Sequence, residues 1–160
     1  MKKVMLLGIN SKFVHTNIAI RYIKKYVEKY SDIEIEIFEK TINNHVEEII
    51  ADIYRKKPEI LMISAYIWNS EYVYKLITEV KKVFKNLTLV LGGPEVSYNA
   101  IELMNKYIEI DYIISGEGEK TTLEFLTKDK KDVKGLYYRE EDKIKFGGIR
   151  EGICDLDEIP

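Results

Sequence analysis

The sequence has a single cysteine, Cys154, and only two histidines, His15 and His45. One cysteine makes no internal disulfide and cannot by itself hold an iron–sulfur cluster or a structural zinc. Two histidines leave too few donors for a metal site built by this chain alone, so no residue is assigned as a metal ligand. A reducing, cytoplasmic setting is the default expectation. There is no basic excess: 25 Lys and Arg face 27 Asp and Glu, for a net charge of −2. That argues against a nucleic-acid module, which needs a basic stripe. No apolar run approaches the ~18 residues that span a membrane, and Met1–Asn10 has no signal-peptide pattern. No G-x-G-x-x-G follows the first apolar run, where Gly8 stands alone, and there is no Walker A loop. A phosphate-cradling dinucleotide or nucleoside triphosphate site is therefore not expected. A receiver-type phosphoacceptor would need an acid cluster at the same place, and Gly8-Ile9-Asn10 offers none.

What is present is a regular alternation. The 160 residues are 46% hydrophobic and 32% charged, enough to bury a core in one globular domain. Val4–Leu7 is a continuous apolar run, as in a strand covered on both faces, and Gly8 ends it. Thr16 or Asn17 can cap a helix with an apolar stripe at Ala19, Tyr22, Ile23, Tyr26, Val27 and Tyr30. Ile33, Ile35 and Ile37 alternate with Glu34 and Glu36, which predicts an edge strand. A second helix through Val46, Ile49, Ile50 and Ile53 stops at Pro58, and Ile60–Ile63 is a third strand. Asn69 or Ser70 can cap a helix through Val73, Leu76, Ile77, Val80 and Phe84. Leu87–Leu91 is a buried strand closed by Gly92-Gly93-Pro94, and Ser97 is expected to cap the next helix through Ala100, Leu103, Met104 and Tyr107. Ile110–Ile114 is a fifth strand, and a short helix through Leu123 and Leu126 follows. Five such alternations predict a doubly wound α/β fold, a five-stranded parallel sheet in the flavodoxin-like order 2-1-3-4-5. After the charged connector Lys128–Asp132, Val133–Tyr138 and Lys143–Phe146 read as a hairpin turning through Arg139–Asp142. The division expected is 1–127 for the α/β unit and 128–160 for the hairpin and an exit linker.

In such a sheet ligands sit at the carboxyl ends of the strands. Three loops crowd that edge: Asn10-Ser11-Lys12-Phe13-Val14-His15, Ser64-Ala65-Tyr66-Ile67-Trp68-Asn69 and Gly92-Gly93-Pro94-Glu95, with Gly116-Glu117-Gly118-Glu119 beside them. Gly92 and Gly93 either make a tight turn or let a large, flat ligand approach the main chain. His15 is a metal ligand, a base or a surface residue. Ser64 bonds a ligand edge or its own backbone, and Tyr66 and Trp68 are core or ligand platform. Two carboxylates, Glu117 and Glu119, would repel a phosphate; they suit ligand hydroxyls or amides, or simply favour a helix N-terminus.

Taken together the loops have a resemblance. Ser64 and Tyr66 after the third strand, followed by Gly92-Gly93 after the fourth, resemble the cobalamin-binding domain of the methionine synthase and mutase type, where a serine loop and a glycine pair line the slot for the dimethylbenzimidazole tail. The D-x-H-x-x-G of that family, which supplies the histidine below cobalt, is absent, because Asn10-Ser11-Lys12 stands in its place. The chain is more similar to the amino-terminal cobalamin-binding domain of cobalamin-dependent radical S-adenosylmethionine (SAM) proteins. The matching stretches are Asn10–Thr16, Gly92–Glu95, Gly116–Glu119 and Leu156-Asp157-Glu158-Ile159-Pro160. The resemblance implies base-off cobalamin without a histidine ligand. It implies backbone approach at Gly92 and Gly93, tail contacts from Ser64 and Tyr66, and corrin contacts from Ser11, Lys12, Phe13 and His15, with Asn10, Ala65 and Pro94 among the cofactor-binding residues. Glu117, Gly118 and Glu119 would meet corrin amides or stabilise their turn. It implies no catalytic residue within this chain. It also implies a radical SAM domain beyond Pro160, with a [4Fe–4S] cluster and SAM, that performs methyl transfer or related radical chemistry. The rival expectations are a stand-alone flavodoxin-like flavin protein and a ligand-free interaction module using the hairpin.

Overall fold

The structure, a computed structural model, describes residues 2–12 and 14–154. Phe13 and the exit stretch Leu156–Pro160, both named above, lie outside the described residues. The chain runs β1 (Val4–Asn10), α1 (Ile18–Tyr30), β2 (Ile35–Thr41), α2 (Val46–Lys56), β3 (Ile60–Ser64), α3 (Ser70–Val83) and β4 (Thr88–Gly92). It continues through α4 (Pro94–Ser97), α5 (Ala100–Lys106), β5 (Tyr112–Ile114), α6 (Gly118–Thr127), β6 (Leu136–Glu140) and β7 (Lys143–Phe146).

The parallel strands stand in the expected order β2-β1-β3-β4-β5, but the sheet has seven strands, not five. β6 pairs antiparallel with β5, and β7 with β6, so the hairpin extends the main sheet. The physical reason is burial: Leu136 and Tyr138 pack into the same core as β5, which leaves no independent hairpin surface on that face.

Alternation along the central strands divides the core in two. Met5, Leu7, Ile9, Leu61, Ile63, Leu89, Leu91 and Ile113 face α2, α3 and α5. Val4, Leu6, Ile60, Met62, Val90 and Ile114 face the side of α1 and α6. Both sets are fully buried, as expected of parallel strands covered twice.

Local details depart from the sequence expectations in physically clear ways. β1 does not end at Gly8 but runs on to Asn10, because Gly8 keeps its place in register between Glu39 and Ser64. A Cβ at Gly8 would lie 3.0 Å from Ile20 Cδ1, so the glycine serves close packing of α1. The buried stripe of α1 centres on Ile20, Tyr26 and Val27, and Tyr22 and Tyr30 turn outward. Asn17 caps α1 through Ile20 N at 3.4 Å. Ser97 does not cap the following helix; it ends α4, and its Oγ donates to Gly93 O at 2.9 Å. The hairpin turn is only Glu141-Asp142, both with positive φ, the geometry of a two-residue connection.

Arg139 therefore sits in β6 rather than in the turn, and it does structural work there. Its Nε donates to Ile110 O at 3.2 Å, and its Nη2 donates to the carbonyls of Tyr107 and Met104. Met104 lies in the last turn of α5 and Tyr107 at its C-cap, where helical partners for carbonyls run out, and Ile110 lies in the loop that follows. Arg139→Ala should lower stability by about 1.5–3 kcal/mol, the range for hydrogen bonds to a charged group. Urea denaturation checks this: a midpoint equal to wild type would mean that the α5 end is satisfied without the guanidinium.

Candidate functional site

On the α1/α6 side the sheet carries two rows of side chains at its carboxyl edge. The register sets Leu6 beside Met62 and Met62 beside Val90. Two residues further on, Gly8 stands beside Ser64 and Ser64 beside Gly92. A row of small residues thus lies in front of a row of large ones on one face. The large row forms a floor; of the small row Ser64 and Gly92 leave room above it, whereas Gly8 is packed under α1. The result is a cleft of about 630 Å³ between the sheet and helices α1 and α6. Ile20 and Ile23 of α1 and Gly118, Glu119 and Thr122 of α6 complete its walls.

The loops at the mouth are held by backbone contact. Ala65 N donates to Gly92 O at 2.7 Å, and Gly93 has φ +104°. A Cβ at Gly93 would come within 2.4 Å of Ala65 O, so only glycine fits. At Gly92 a Cβ would meet nothing closer than 3.8 Å, so its missing side chain leaves open cleft. Ser97 joins the β4 and β5 loops: its Oγ accepts from Gly116 N, and its carbonyl accepts from Ser115 Oγ, both at 3.3 Å.

The structure brings together Ser64, Tyr66, Gly92, Gly93, Pro94, Glu117, Gly118 and Glu119 on the cleft wall. Ala65 is buried behind Gly93 and does not line the cleft. The loop after β1 stands apart from it. Asn10 is buried, and its Nδ2 donates to His15 O at 2.7 Å and to Glu39 Oε1 at 3.1 Å. Ser11 Oγ lies 3.1 Å from His15 Nδ1, and Lys12 is exposed. Tyr66 stacks on Trp68 with ring centroids 5.4 Å apart and an 8° interplanar angle, and with Trp68 45% exposed the pair is not core. Glu117 lines the cleft, and its Oε2 accepts from Ile153 N at 2.8 Å, which ties down the exit segment.

Three residues were not read from the sequence in the positioning roles they take. Asn69 is buried at the N-cap position of α3 but makes no cap bond. Instead its Oδ1 accepts from Tyr66 N at 2.7 Å and its Nδ2 donates to Ile9 O at 3.0 Å, pinning the Ser64–Tyr66 loop to β1. Glu39, at the end of β2, accepts from Asn17 N at 2.8 Å and Arg21 Nη2 at 2.6 Å as well as from Asn10. Burial pushes its carboxyl up, but the bonds from Asn17, Asn10 and Arg21 outweigh that and hold it below the ordinary 4.5. Thr122 is fully buried, and its hydroxyl has no hydrogen-bond partner among the described residues. The readable signal was a hydroxyl on the buried stripe of α6, at helical spacing from Gly118. Among the described residues no group of three or more His, Cys, Asp or Glu could hold a metal, and no helix is long and apolar enough to cross a membrane.

Residues 4–126 match the B12 binding domain family. The chain belongs to that family. It is therefore a cobalamin-binding domain, similar to those of radical SAM methyltransferases. It is 28% identical over 153 residues to an uncharacterized methyltransferase of Pyrococcus horikoshii, covering 89% of this chain and 32% of that protein. It is 33% identical over 70 residues, 44% of this chain and 10% of the relative, to the cobalamin-dependent radical SAM methyltransferase TokK of Streptomyces tokunonensis. In fold it resembles the cobalamin-dependent SAM radical enzyme OxsB with aqua-cobalamin bound, with a TM-score of 0.81 and 17% identity over 100% of this chain and 24% of that one. The TsrM methyltransferase of Kitasatospora setae, solved with cobalamin and a [4Fe–4S] cluster, gives 0.65 at 17% identity, over 99% of this chain and 31% of that one. The chain thus spans about a third or less of these relatives.

The cleft floor is apolar, its mouth is cleared by Gly92, and the buried hydroxyl of Thr122 on its wall has no partner among the described residues. Two outcomes follow. Gly93→Ala should destabilise the fold by about 1–3 kcal/mol through overpacking, whereas Gly92→Ala should stay within about 0.5 kcal/mol of wild type; equal losses in thermal denaturation would contradict the asymmetry. Because the folded carboxyl of Glu39 is depressed, its contribution is fully present above its ordinary 4.5 and fades as pH falls through the lower folded value. Melting temperatures of wild type and Glu39→Gln should converge below that range and separate above it, with wild type higher; parallel curves would remove Glu39 from loop stability.

Proposed function

We propose that this chain binds cobalamin base-off, with the nucleotide tail in the cleft above Leu6, Met62 and Val90, as the cofactor domain of a radical SAM enzyme. Ser64 and Gly92, small residues side by side in front of that floor, carry the reading. Ser64 and Tyr66 line the tail, and Gly92 and Gly93 admit it to the main chain. Ser11, Lys12 and His15, which stand outside the cleft lining, are assigned with Phe13 to the corrin. The lower face of cobalt then has no histidine. The D-x-H-x-x-G stretch that would supply one is absent, since Asn10-Ser11-Lys12 stands in its place. The domain positions and desolvates the cofactor, and the cofactors carry the chemistry. Tyr98, 95% exposed, and Ile67 form an apolar rim beside the cleft mouth that suits a corrin face or a covering domain.

The catalytic partner is a radical SAM domain of the same polypeptide beyond Pro160, holding a [4Fe–4S] cluster and SAM and methylating or otherwise modifying a substrate radical. Residues 1–127 form the cobalamin unit in this reading. Residues 128–160 are the hairpin and exit linker, of which β6 and β7 extend the sheet. The exposed free thiol of Cys154 favours a reducing, cytoplasmic setting.

Titration of the 160-residue chain with hydroxocobalamin and methylcobalamin tests the proposal. Saturable binding is expected, with an absorbance spectrum that lacks a nitrogen lower ligand and is unchanged in His15→Ala. Gly92→Val should weaken binding tenfold or more (about 1.4 kcal/mol) by filling the mouth. A nitrogen-ligated spectrum lost in His15→Ala would make His15 the ligand, and absence of binding by folded protein would sink the assignment.

A further inference from the structure

Thr121 and Thr122 are neighbours on α6, both fully buried, and their hydroxyls fare differently. Thr121 Oγ1 faces the carbonyls of Glu117 and Lys134, each at 3.3 Å, and accepts from Arg150 Nε at 2.8 Å. Thr122 Oγ1 has no partner among the described residues. A helical threonine can ordinarily bond back to the carbonyl one turn earlier, as Thr121 does to Glu117. Thr122 forgoes that bond. A buried hydroxyl without a partner destabilises a folded chain, so its presence calls for an explanation. Thr122 lines the cleft, where the surrounding wall is Leu6, Ile20, Ile23, Met62, Val90 and Ile114. Ser64, Ser97, Ser115, Glu117 and Glu119 also line the cleft, so Thr122 is one of a few polar groups on a largely apolar wall. It is the one whose buried hydroxyl lacks a partner among the described residues, and a few placed polar groups are how such a pocket orients a mostly apolar ring.

We propose that Thr122 is the specificity-determining contact for the base of the nucleotide tail, its Oγ1 hydrogen-bonding a ring nitrogen or other polar edge atom of a benzimidazole-type heteroaromatic. The inference rests on the cobalamin reading above. A base-off ring has its edge nitrogen free of cobalt, and that nitrogen can accept the Thr122 proton. A base with no polar edge would leave the hydroxyl buried and unpaired, which is how a site built around a hydrogen bond rejects the analogue that lacks it.

The test compares wild type, Thr122→Val and Thr122→Ser in the 160-residue chain. The probes are hydroxocobalamin and cobinamide, which keeps the corrin but lacks the nucleotide tail. Thr122→Val should bind hydroxocobalamin about tenfold more weakly than wild type and cobinamide equally well, and Thr122→Ser should stay near wild type for both. Without ligand, Thr122→Val should melt at the wild-type temperature or about 2–4 °C above it, because it removes an unpaired hydroxyl. Unchanged hydroxocobalamin affinity in Thr122→Val, or equal loss for both probes, would overturn the proposal while leaving the cobalamin reading intact. A clearly lower melting temperature for ligand-free Thr122→Val would also overturn it, by showing that the hydroxyl is already paired. Failure of wild type to bind hydroxocobalamin would remove the reading and this inference together.

Discussion

The cleft exists because two neighbouring parallel strands, β3 and β4, reach their carboxyl ends in register with small residues, while the glycine beside them on β1 is packed under α1. Gly8, Ser64 and Gly92 lie side by side, and two positions behind them Leu6, Met62 and Val90 do the same. Period-two alternation puts both rows on the face covered by α1 and α6. A shift of one residue in any of these strands would turn its small residue to the other face and bring a large one to the mouth. That slip is opposed from behind, since it would also expose one of the two buried sets. The site is therefore a by-product of core register, and loop sequence refines what register has already opened.

The two faces of the sheet do different jobs with similar amino acids. Toward α2, α3 and α5 the aliphatic side chains close on one another. Toward α1 and α6 closure is incomplete at one end, because Gly92 contributes no side chain and α6 begins with Gly118. A Cβ at Gly118 would meet Ile23 Cδ1 at 2.9 Å, so this glycine lets α6 approach α1 closely enough to wall the cleft. Glycine thus acts in two senses within one site: at Gly92 its bareness leaves space, and at Gly93 and Gly118 it allows contact.

The parallel core was legible in the sequence because each strand is a short apolar run followed by a helical stripe. The order 2-1-3-4-5 follows from right-handed crossovers. The hairpin was legible as a hairpin but not as part of the sheet, since pairing between β5 and β6 depends on Leu136 and Tyr138 finding the same core, a tertiary fact. The cleft-lining glycines, Ser64 and Tyr66 could be read because turn residues after strands have few alternative meanings. The loop after β1 could not be placed. Whether Asn10, Ser11 and His15 face a ligand or one another depends on Glu39, which lies 29 residues from Asn10 and joins it only when β2 pairs with β1. Asn69 misled for a related reason: an asparagine before a helix has cap chemistry, yet the buried carbonyl of Ile9 competed for its side chain and won.

Glu117 shows how the cleft and the exit of the chain share one wall. Its carboxylate lines the cleft while accepting from Ile153 N, and the segment that follows β7 is clamped again by Arg150. That guanidinium donates to Thr121 Oγ1 and Lys134 O and pairs with Glu124, so it ties the exit to α6 from the side away from the cleft. Burial pushes the Glu124 carboxyl up, and Arg150 and Lys128 together bring it below its ordinary value, so the clamp is ionic at neutral pH. Thr121 turns its hydroxyl to this clamp and Thr122 turns its own to the cleft wall. One turn of α6 thereby fixes the outgoing chain on one side and leaves a single unpaired hydroxyl on the other, and helix geometry is what sends the two adjacent residues in different directions.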